Sequence, residues 1–203
     1  MKPLDEIYNR RFFARRYKMN WRAPIICLTI ETVLGKIKIE RVIDLGCANG
    51  DLVAEWTKRG YEALGVEGSS HIKDYMEDNA SLILADLRSP LPDNLKNFDL
   101  VTCFEVLEHI EEEYSEMVVD NICYLTKKFV VTSAAPPGQG GHYHVNCQDK
   151  KYWIDKFEKR SFEYNDRATG EIRAMLDPWK SKPGIKAIHQ NLMVFNYFLH
   201  GEG

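Results

Sequence analysis

Arg41-Val42-Ile43-Asp44-Leu45-Gly46-Cys47-Ala48-Asn49-Gly50 is the stretch around which the chain is organised. Val42, Ile43 and Leu45 read as a short buried strand that runs into a carboxylate and two glycines. Leu52, Val53 and Trp56 follow at helical spacing and mark a helix that starts after Gly50. Glycine at 46 and 50 lets the backbone bend sharply and come close to a ligand, because no Cβ intervenes. The first N–H groups of the new helix face the same ligand.

The order of residues in this turn narrows the ligand. A dinucleotide turn reads G-x-G-x-x-G, whereas this one reads Asp44-x-Gly46-x-x-x-Gly50 with Ala48 in the middle. A pyrophosphate is disfavoured by an acid at the strand end, and a cationic or hydroxyl-rich ligand is favoured. At this point the sequence resembles the class I S-adenosylmethionine-dependent methyltransferases, whose first motif is a strand ending in D/E-x-G-x-x-x-G. The resemblance implies S-adenosylmethionine as cofactor, with Asp44, Gly46, Cys47 and Gly50 at its seat.

Composition sets the bounds. The 203 residues are 44% hydrophobic, enough for one domain with a full core. The net charge of −3 gives no global footprint of a nucleic-acid binder. No apolar run is long enough to span a bilayer, and residues 1–20 lack the layout of a signal peptide. Cys27, Cys47, Cys103, Cys123 and Cys147 are odd in number and contain no C-x-x-C pair, which suits a reduced cytoplasmic protein.

Residues 1–20 are aromatic and basic, and the expectation is a short helical cap over the site with its arginines in solvent. Residues 24–34 read as a helix with a broad apolar face. From 41 onward, strands are expected at 41–45, 62–66, 82–85, 98–104, 128–133, 162–164 and 192–198. Helices are expected near 51–59, 70–77, 114–125 and 150–157. This alternation implies an α/β, Rossmann-like sheet of seven mostly parallel strands with helices on both faces. The run 192–199 is the antiparallel last strand that the resemblance calls for. The domain expected is a single one over 1–203, with a helical cap (1–38), a cofactor-binding core (41–133) and a substrate-side loop with C-terminal strands (134–203). Residues 166–183 are polar and are expected to form a flexible, substrate-facing insert.

Three further stretches carry chemistry. Glu67 closes the second strand in Gly65-Val66-Glu67-Gly68-Ser69, and an acid about 20 residues past the glycine turn can accept from both ribose hydroxyls. The resemblance adds Gly68 and Ser69 to that contact, and Asp86 with the Leu87 backbone at the adenine edge. The fourth strand leads into Cys103-Phe104-Glu105-Val106-Leu107-Glu108-His109, similar to the E-V-L-E-H signature of small-molecule methyltransferases. It implies Cys103 and Phe104 beside the methionine arm. Glu105, Glu108 and His109 share one face if this segment is helical. Two readings compete, a metal or acid–base cluster, since imidazole and carboxylates can hold a divalent ion, and a structural set, and no metal site is assigned.

After the fifth strand comes Gly138-Gln139-Gly140-Gly141-His142-Tyr143-His144-Val145-Asn146-Cys147, stiffened upstream by Pro136 and Pro137. A histidine can take a proton from a hydroxyl at working pH. His142 and His144 alternate, so in an extended segment they share a face. Together with Cys147 they offer three zinc-type ligands but no convincing fourth. The loop resembles that of methyltransferases acting on sugars and other small molecules.

The reading is methyl transfer from S-adenosylmethionine to a small-molecule hydroxyl, with His142 or His144 as base and Glu105 and His109 as second choices. Methylation of RNA or a nucleotide, and a non-catalytic subunit that only binds S-adenosylmethionine, are the alternatives. The partner expected is a small-molecule substrate, with neither nucleic acid nor membrane.

Overall fold

The computed structural model describes residues 2–198. Seven strands form one sheet: β1 (Arg41–Leu45), β2 (Glu62–Glu67), β3 (Leu82–Leu84), β4 (Phe98–Phe104), β5 (Thr126–Ser133), β6 (Phe162–Tyr164) and β7 (Leu192–Tyr197). Their order is β3-β2-β1-β4-β5-β7-β6. The first five pair in parallel, and β7 runs antiparallel to both β5 and β6. Strand order reverses between β1 and β4, and a crevice opens there at the carboxyl ends of the strands. The stretch 41–50 therefore ends at the switch point.

Alternation along each strand divides the core between two layers. On β1, Val42 packs into one layer and Ile43 into the other. On β4 the same holds for Leu100 and Val101. One layer holds apolar residues of α5 (Ser115–Leu125) and α6 (Lys150–Glu158). The other holds residues of α3 (Ala23–Leu34), α4 (Asp51–Lys58), α7 (Asp166–Leu176) and α8 (Lys186–Asn191). Ile43, Leu100, Trp56 and Trp153 are fully buried, and cutting such a side chain to alanine costs about 2–5 kcal/mol. Pro24 opens α3, where its fixed φ and missing N–H are harmless.

Two short helices, α1 (Leu4–Ile7) and α2 (Arg10–Tyr17), lie over the crevice. Asn9 caps α2 by accepting from the N–H groups of Arg11 and Phe12. The Asp5 carboxylate accepts from Ser69 Oγ at 2.8 Å and from the Ser70 N–H at 2.7 Å, which fastens α1 to the turn after β2. A buried ion pair, Arg22 with Asp51 at 2.9 Å, ties the segment before α3 to the first turn of α4.

Three expectations need correction. Residues 70–77 do not form an α-helix. Only a 3-10 turn spans Ser70–Asp74, because the Glu77 N–H is drawn to the Asn49 carbonyl and the chain leaves helical geometry. Residues 166–183 are not a flexible insert. Asn165 caps α7 through the Ala168 N–H, and α7 packs on α3 and β7 with Ala168, Ile172 and Leu176 buried. The polar residues counted in that stretch are the outer face of an amphipathic helix. The last strand ends at Tyr197, and Leu199 lies outside the described residues.

Candidate functional site

One cleft of about 670 Å³, open mouth included, lies above the carboxyl ends of β1, β2 and β4. Its floor is the glycine turn. The N–H groups of Gly46 and Cys47 both donate to the Val66 carbonyl, at 2.8 and 3.1 Å, so β2 pins the turn. Gly46 sits at φ +68°, and a Cβ there would stand 2.4 Å from Val106 Cγ2. Ala48 has φ +48°, a strained conformation for a residue with a Cβ.

Glu67 forms the wall beside this floor. Its carboxylate accepts from the N–H groups of Ala48 at 3.0 Å, Gly68 at 2.8 Å and Ser69 at 3.0 Å. Burial raises its pKa, and those three N–H groups oppose the rise. Oε2 carries only the Ala48 bond among these and keeps a lone pair for a ligand hydroxyl. Farther along, Asp86 and Arg88 form a fork-to-fork pair, Nη2 to Oδ2 at 2.8 Å and Nε to Oδ1 at 3.0 Å. Burial pushes the Asp86 carboxyl up, but the bonds and charge of Arg88 carry it below the ordinary value. Arg88 also reaches Glu111 at 3.4 Å.

Leu4, Tyr8, Phe12 and Arg16 come down from α1 and α2 to form the roof. Burial, then the nearby Glu67 and Glu108, raise the pKa of the Tyr8 phenol. Burial and Arg22 lower that of Arg16.

The far end of the cleft is built from the residues after β4. Glu105 takes φ +54°, and its N–H donates to both the carbonyl and the hydroxyl of Ser133. Its carboxylate accepts from Asn191 Nδ2 at 3.1 Å and Gln139 Nε2 at 3.3 Å. His109 Nδ1 lies 3.1 Å from the Tyr143 carbonyl. Burial pushes the His109 imidazole down to about 4, so it is neutral at pH 7. Glu108 turns inward and is fully buried, with no hydrogen-bond partner for either carboxylate oxygen. Burial, then the Glu105 charge, push its carboxyl up to about 8, and the N–H groups of Glu108 and Ala135 only partly offset this.

Of the residues chosen from sequence, Gly46, Glu67, Gly68, Asp86, Leu87, Glu105 and His109 line this one cleft. The others do not. Asp44 lies beneath the floor, where its carboxylate accepts from Thr102 Oγ1 at 2.6 Å, the side chain paired beside it across β1 and β4. Burial pushes Asp44 up to about 7. Cys47 faces the opposite way, toward Gly65. Gly50 starts α4 from φ +74°, clear of the cleft. Ser69 is spent on fastening Asp5 and the Tyr8 carbonyl. Cys103 and Phe104 point into the two core layers. Only Leu107–His109 of the Glu105 segment is helical, as a single 3-10 turn, so Glu105, Glu108 and His109 do not share a helix face.

The two loop histidines also part company. Tyr143 between them has φ +55°, which breaks the extended run that would have put them side by side. His142 Nε2 bonds the Ile7 carbonyl at 2.8 Å and its ring packs near Tyr8 and Phe12. His144 turns toward Glu108 and His109. Cys147 lies on the Nδ1 side of His144 at 3.6 Å, so His142, His144 and Cys147 do not converge on one point.

The expectation that the arginines of residues 1–20 stand in solvent fails at Arg16, which is half-buried against the cleft, and Arg88 was passed over. Leu4, Tyr8, Phe12 and Arg16 recur every four residues, and that period was the available signal that Arg16 belongs to the inner face. Arg88 gave no signal beyond its place two residues after Asp86.

Comparison with known proteins agrees with this geometry. Residues 42–128 match the model of a family described as "Methyltransferase domain". A probable pectin methylesterase of Arabidopsis thaliana is 26% identical over 143 residues, covering 63% of this chain and 55% of that protein. A ubiquinone biosynthesis O-methyltransferase of Acinetobacter baumannii is 24% identical over 106 residues, covering 48% of this chain and 41% of that protein. The chain thus spans about half or less of the length of these curated relatives. Among solved structures, a sugar N-methyltransferase from a Streptoalloteichus species superposes with a TM-score of 0.63 at 12% identity, over 87% of this chain and 88% of that one. Magnesium protoporphyrin IX methyltransferase from Synechocystis, solved with S-adenosylhomocysteine bound, gives 0.56 at 16% identity over 80% and 84%. At these identities the structural likeness speaks for the fold.

Proposed function

We propose that this chain is a class I S-adenosylmethionine-dependent methyltransferase, and that it transfers the methyl group of S-adenosylmethionine to a hydroxyl oxygen of a small, sugar-like acceptor. The observation that carries the reading is the shared cleft. Gly46 and Glu67 line one end of it, and Glu105 and His109 the other.

At the first end, the Gly46 turn with Val106 packed against it floors the space for a nucleoside, and the Glu67 carboxylate accepts from its ribose hydroxyls. Asp86 and the Leu87 backbone sit where an adenine edge reaches. Asp44 acts from beneath by holding the turn rather than by touching the cofactor. Tyr8 and Phe12 close the roof over the sulfonium.

Methyl transfer is an in-line displacement: the acceptor oxygen forms a bond to the methyl carbon as the carbon–sulfur bond breaks, and S-adenosylhomocysteine leaves. Alignment and exclusion of water supply most of the catalysis. The hydroxyl proton goes to a base, and Glu105 is better placed for this than His142 or His144, since neither histidine lines the cleft. Asn191 and Gln139 aim its carboxylate. The left-handed backbone at Glu105, a strain of about 1–3 kcal/mol, turns the residue into the cleft just past the end of β4.

The net charge of −3 favours a small acceptor over RNA. The described cysteines are all unpaired, which fits a cytoplasmic setting. No helix among the described residues is long and apolar enough to cross a membrane.

The test is turnover with a panel of sugar, phenol and nucleoside acceptors, followed by release of S-adenosylhomocysteine. Glu105→Gln should lower kcat by roughly 10²–10⁴-fold at unchanged S-adenosylhomocysteine affinity. Full kcat in that variant would remove Glu105 as base, and binding without turnover on any acceptor would favour a non-catalytic subunit.

A further inference from the structure

Beside the acceptor end of the cleft stands a group that methyl transfer does not require. Glu108 has a side chain that is 0% exposed, and both its carboxylate oxygens lack a hydrogen-bond partner. A fully buried carboxyl with no hydrogen-bond partner on either oxygen is a group that calls for an explanation, and a ligand position is one. What faces it is a pair of imidazoles. His144 Nε2 is 4.0 Å from Glu108 Oε1. The His109 and His144 rings meet edge to face, with centroids 4.9 Å apart. One ligand atom from each of Glu108, His109 and His144 lies within 4.8 Å of the other two.

The far nitrogens of both rings fix the tautomer. His109 Nδ1 faces the Tyr143 carbonyl at 3.1 Å, and His144 Nδ1 faces the Gln139 carbonyl at 3.0 Å. A carbonyl only accepts, so each Nδ1 carries the hydrogen and each neutral ring keeps its lone pair on Nε2. Orientation of an imidazole by a backbone carbonyl is how proteins present Nε2 to a metal. Both carbonyls belong to the one loop that follows β5, and Tyr143 takes its left-handed turn just where His144 has to swing inward.

We propose that Glu108, His109 and His144 form a binding site for one divalent transition-metal ion of the zinc or manganese class. Two imidazoles and a carboxylate suit such an ion better than magnesium or calcium, which take oxygen ligands. Bonds of about 2.0–2.2 Å from one ion need the three atoms somewhat closer together than they stand, and small side-chain adjustments supply the difference. Three protein ligands leave positions open, the pattern of a working site rather than a closed structural one. Since His109 also lines the cleft, the ion stands at its wall and can polarise an acceptor oxygen. That last step rests on the methyl-transfer reading, whereas ion binding does not.

The experiment is a titration of chelator-treated protein with Co2+, followed by visible absorption, alongside calorimetry with S-adenosylhomocysteine. The wild type should take up one equivalent and develop ligand-field bands. Glu108→Gln and His144→Asn should each weaken uptake by at least roughly tenfold while S-adenosylhomocysteine affinity holds. His142→Asn and Cys147→Ser should bind Co2+ as the wild type does. No uptake by the wild type overturns the proposal, as does uptake indifferent to both Glu108→Gln and His144→Asn. Uptake abolished by Cys147→Ser alone also overturns it. Thermal unfolding of each variant guards against misfolding. Should Glu108→Gln not fold, His144→Asn on the half-buried loop decides alone.

Discussion

The Glu67 carboxylate accepts a 3.0 Å hydrogen bond from the Ala48 N–H, and this bond joins the tip of β2 to the glycine turn after β1. Floor and wall of the cleft are thereby one unit. The same carboxylate braces the turn and retains a lone pair for a ligand.

Replacing it separates those two duties. Glu67→Gln keeps the size of the side chain but loses the charge-assisted bonds, which are worth about 1.5–3 kcal/mol each to a ligand hydroxyl. S-adenosylhomocysteine affinity should fall by roughly 10–100-fold in calorimetry. An unchanged affinity would place the ribose elsewhere.

Gly46→Ala introduces a Cβ 2.4 Å from Val106 Cγ2 at φ +68°. The strained backbone alone costs about 1–3 kcal/mol. The variant should unfold at a lower temperature, and Val106, displaced by the new methyl in the cleft it lines, should weaken S-adenosylhomocysteine binding. Gly60→Ala is the control, since it has φ +93° but nothing within 4 Å of its Cβ. It should lose stability without losing S-adenosylhomocysteine binding.

Asp44 gives a dependence on pH. Burial holds its folded pKa at about 7, above its ordinary 3.8. Between those values the folded chain keeps a proton that the unfolded chain has lost. Stability from this group is therefore full below about 4, falls by about 1.4 kcal/mol per pH unit as pH rises, and levels off above about 7. Asp44→Asn lacks this slope. Urea unfolding of both proteins at pH 4.5 and 7 should show the wild type losing ground to the variant as pH rises. A gap that does not move would mean that Asp44 titrates alike in both states.

Asp5 acts at a distance from the cleft. Asp5→Ala removes its bonds to Ser69 and Ser70 and loosens α1, which carries Leu4 into the roof. At about 1 kcal/mol per bond, S-adenosylhomocysteine affinity should drop about fivefold or more. Hydrogen exchange in residues 4–17 should rise. Exchange unchanged from the wild type would show that the roof is held by packing alone.

The sheet was largely legible because strand periodicity and glycine turns are local signals. Residues 41–45, 98–104 and 162–164 form strands over the expected bounds. The cofactor end was legible in part: Gly46 and Glu67 stand at strand tips, and topology carries strand tips to the cleft. Side-chain direction was not legible. Asp44 and Cys103 sit one or two residues from strand ends, and the pleat turns both away from the cleft. The histidine loop failed for a related reason. An extended segment predicts that His142 and His144 face alike, and a single left-handed residue, Tyr143, reverses that. Nor did the sequence reveal α7, since an amphipathic helix with a polar outer face reads as a loop when its period is overlooked.

Calorimetric titration of the wild-type chain with S-adenosylhomocysteine, with NAD in a parallel cell, tests the central claim most directly. A seat built from the Gly46 turn and the Glu67 carboxylate predicts one equivalent of S-adenosylhomocysteine bound, weakened in Glu67→Gln, and no heat with NAD. Binding of NAD with no response to S-adenosylhomocysteine would contradict it.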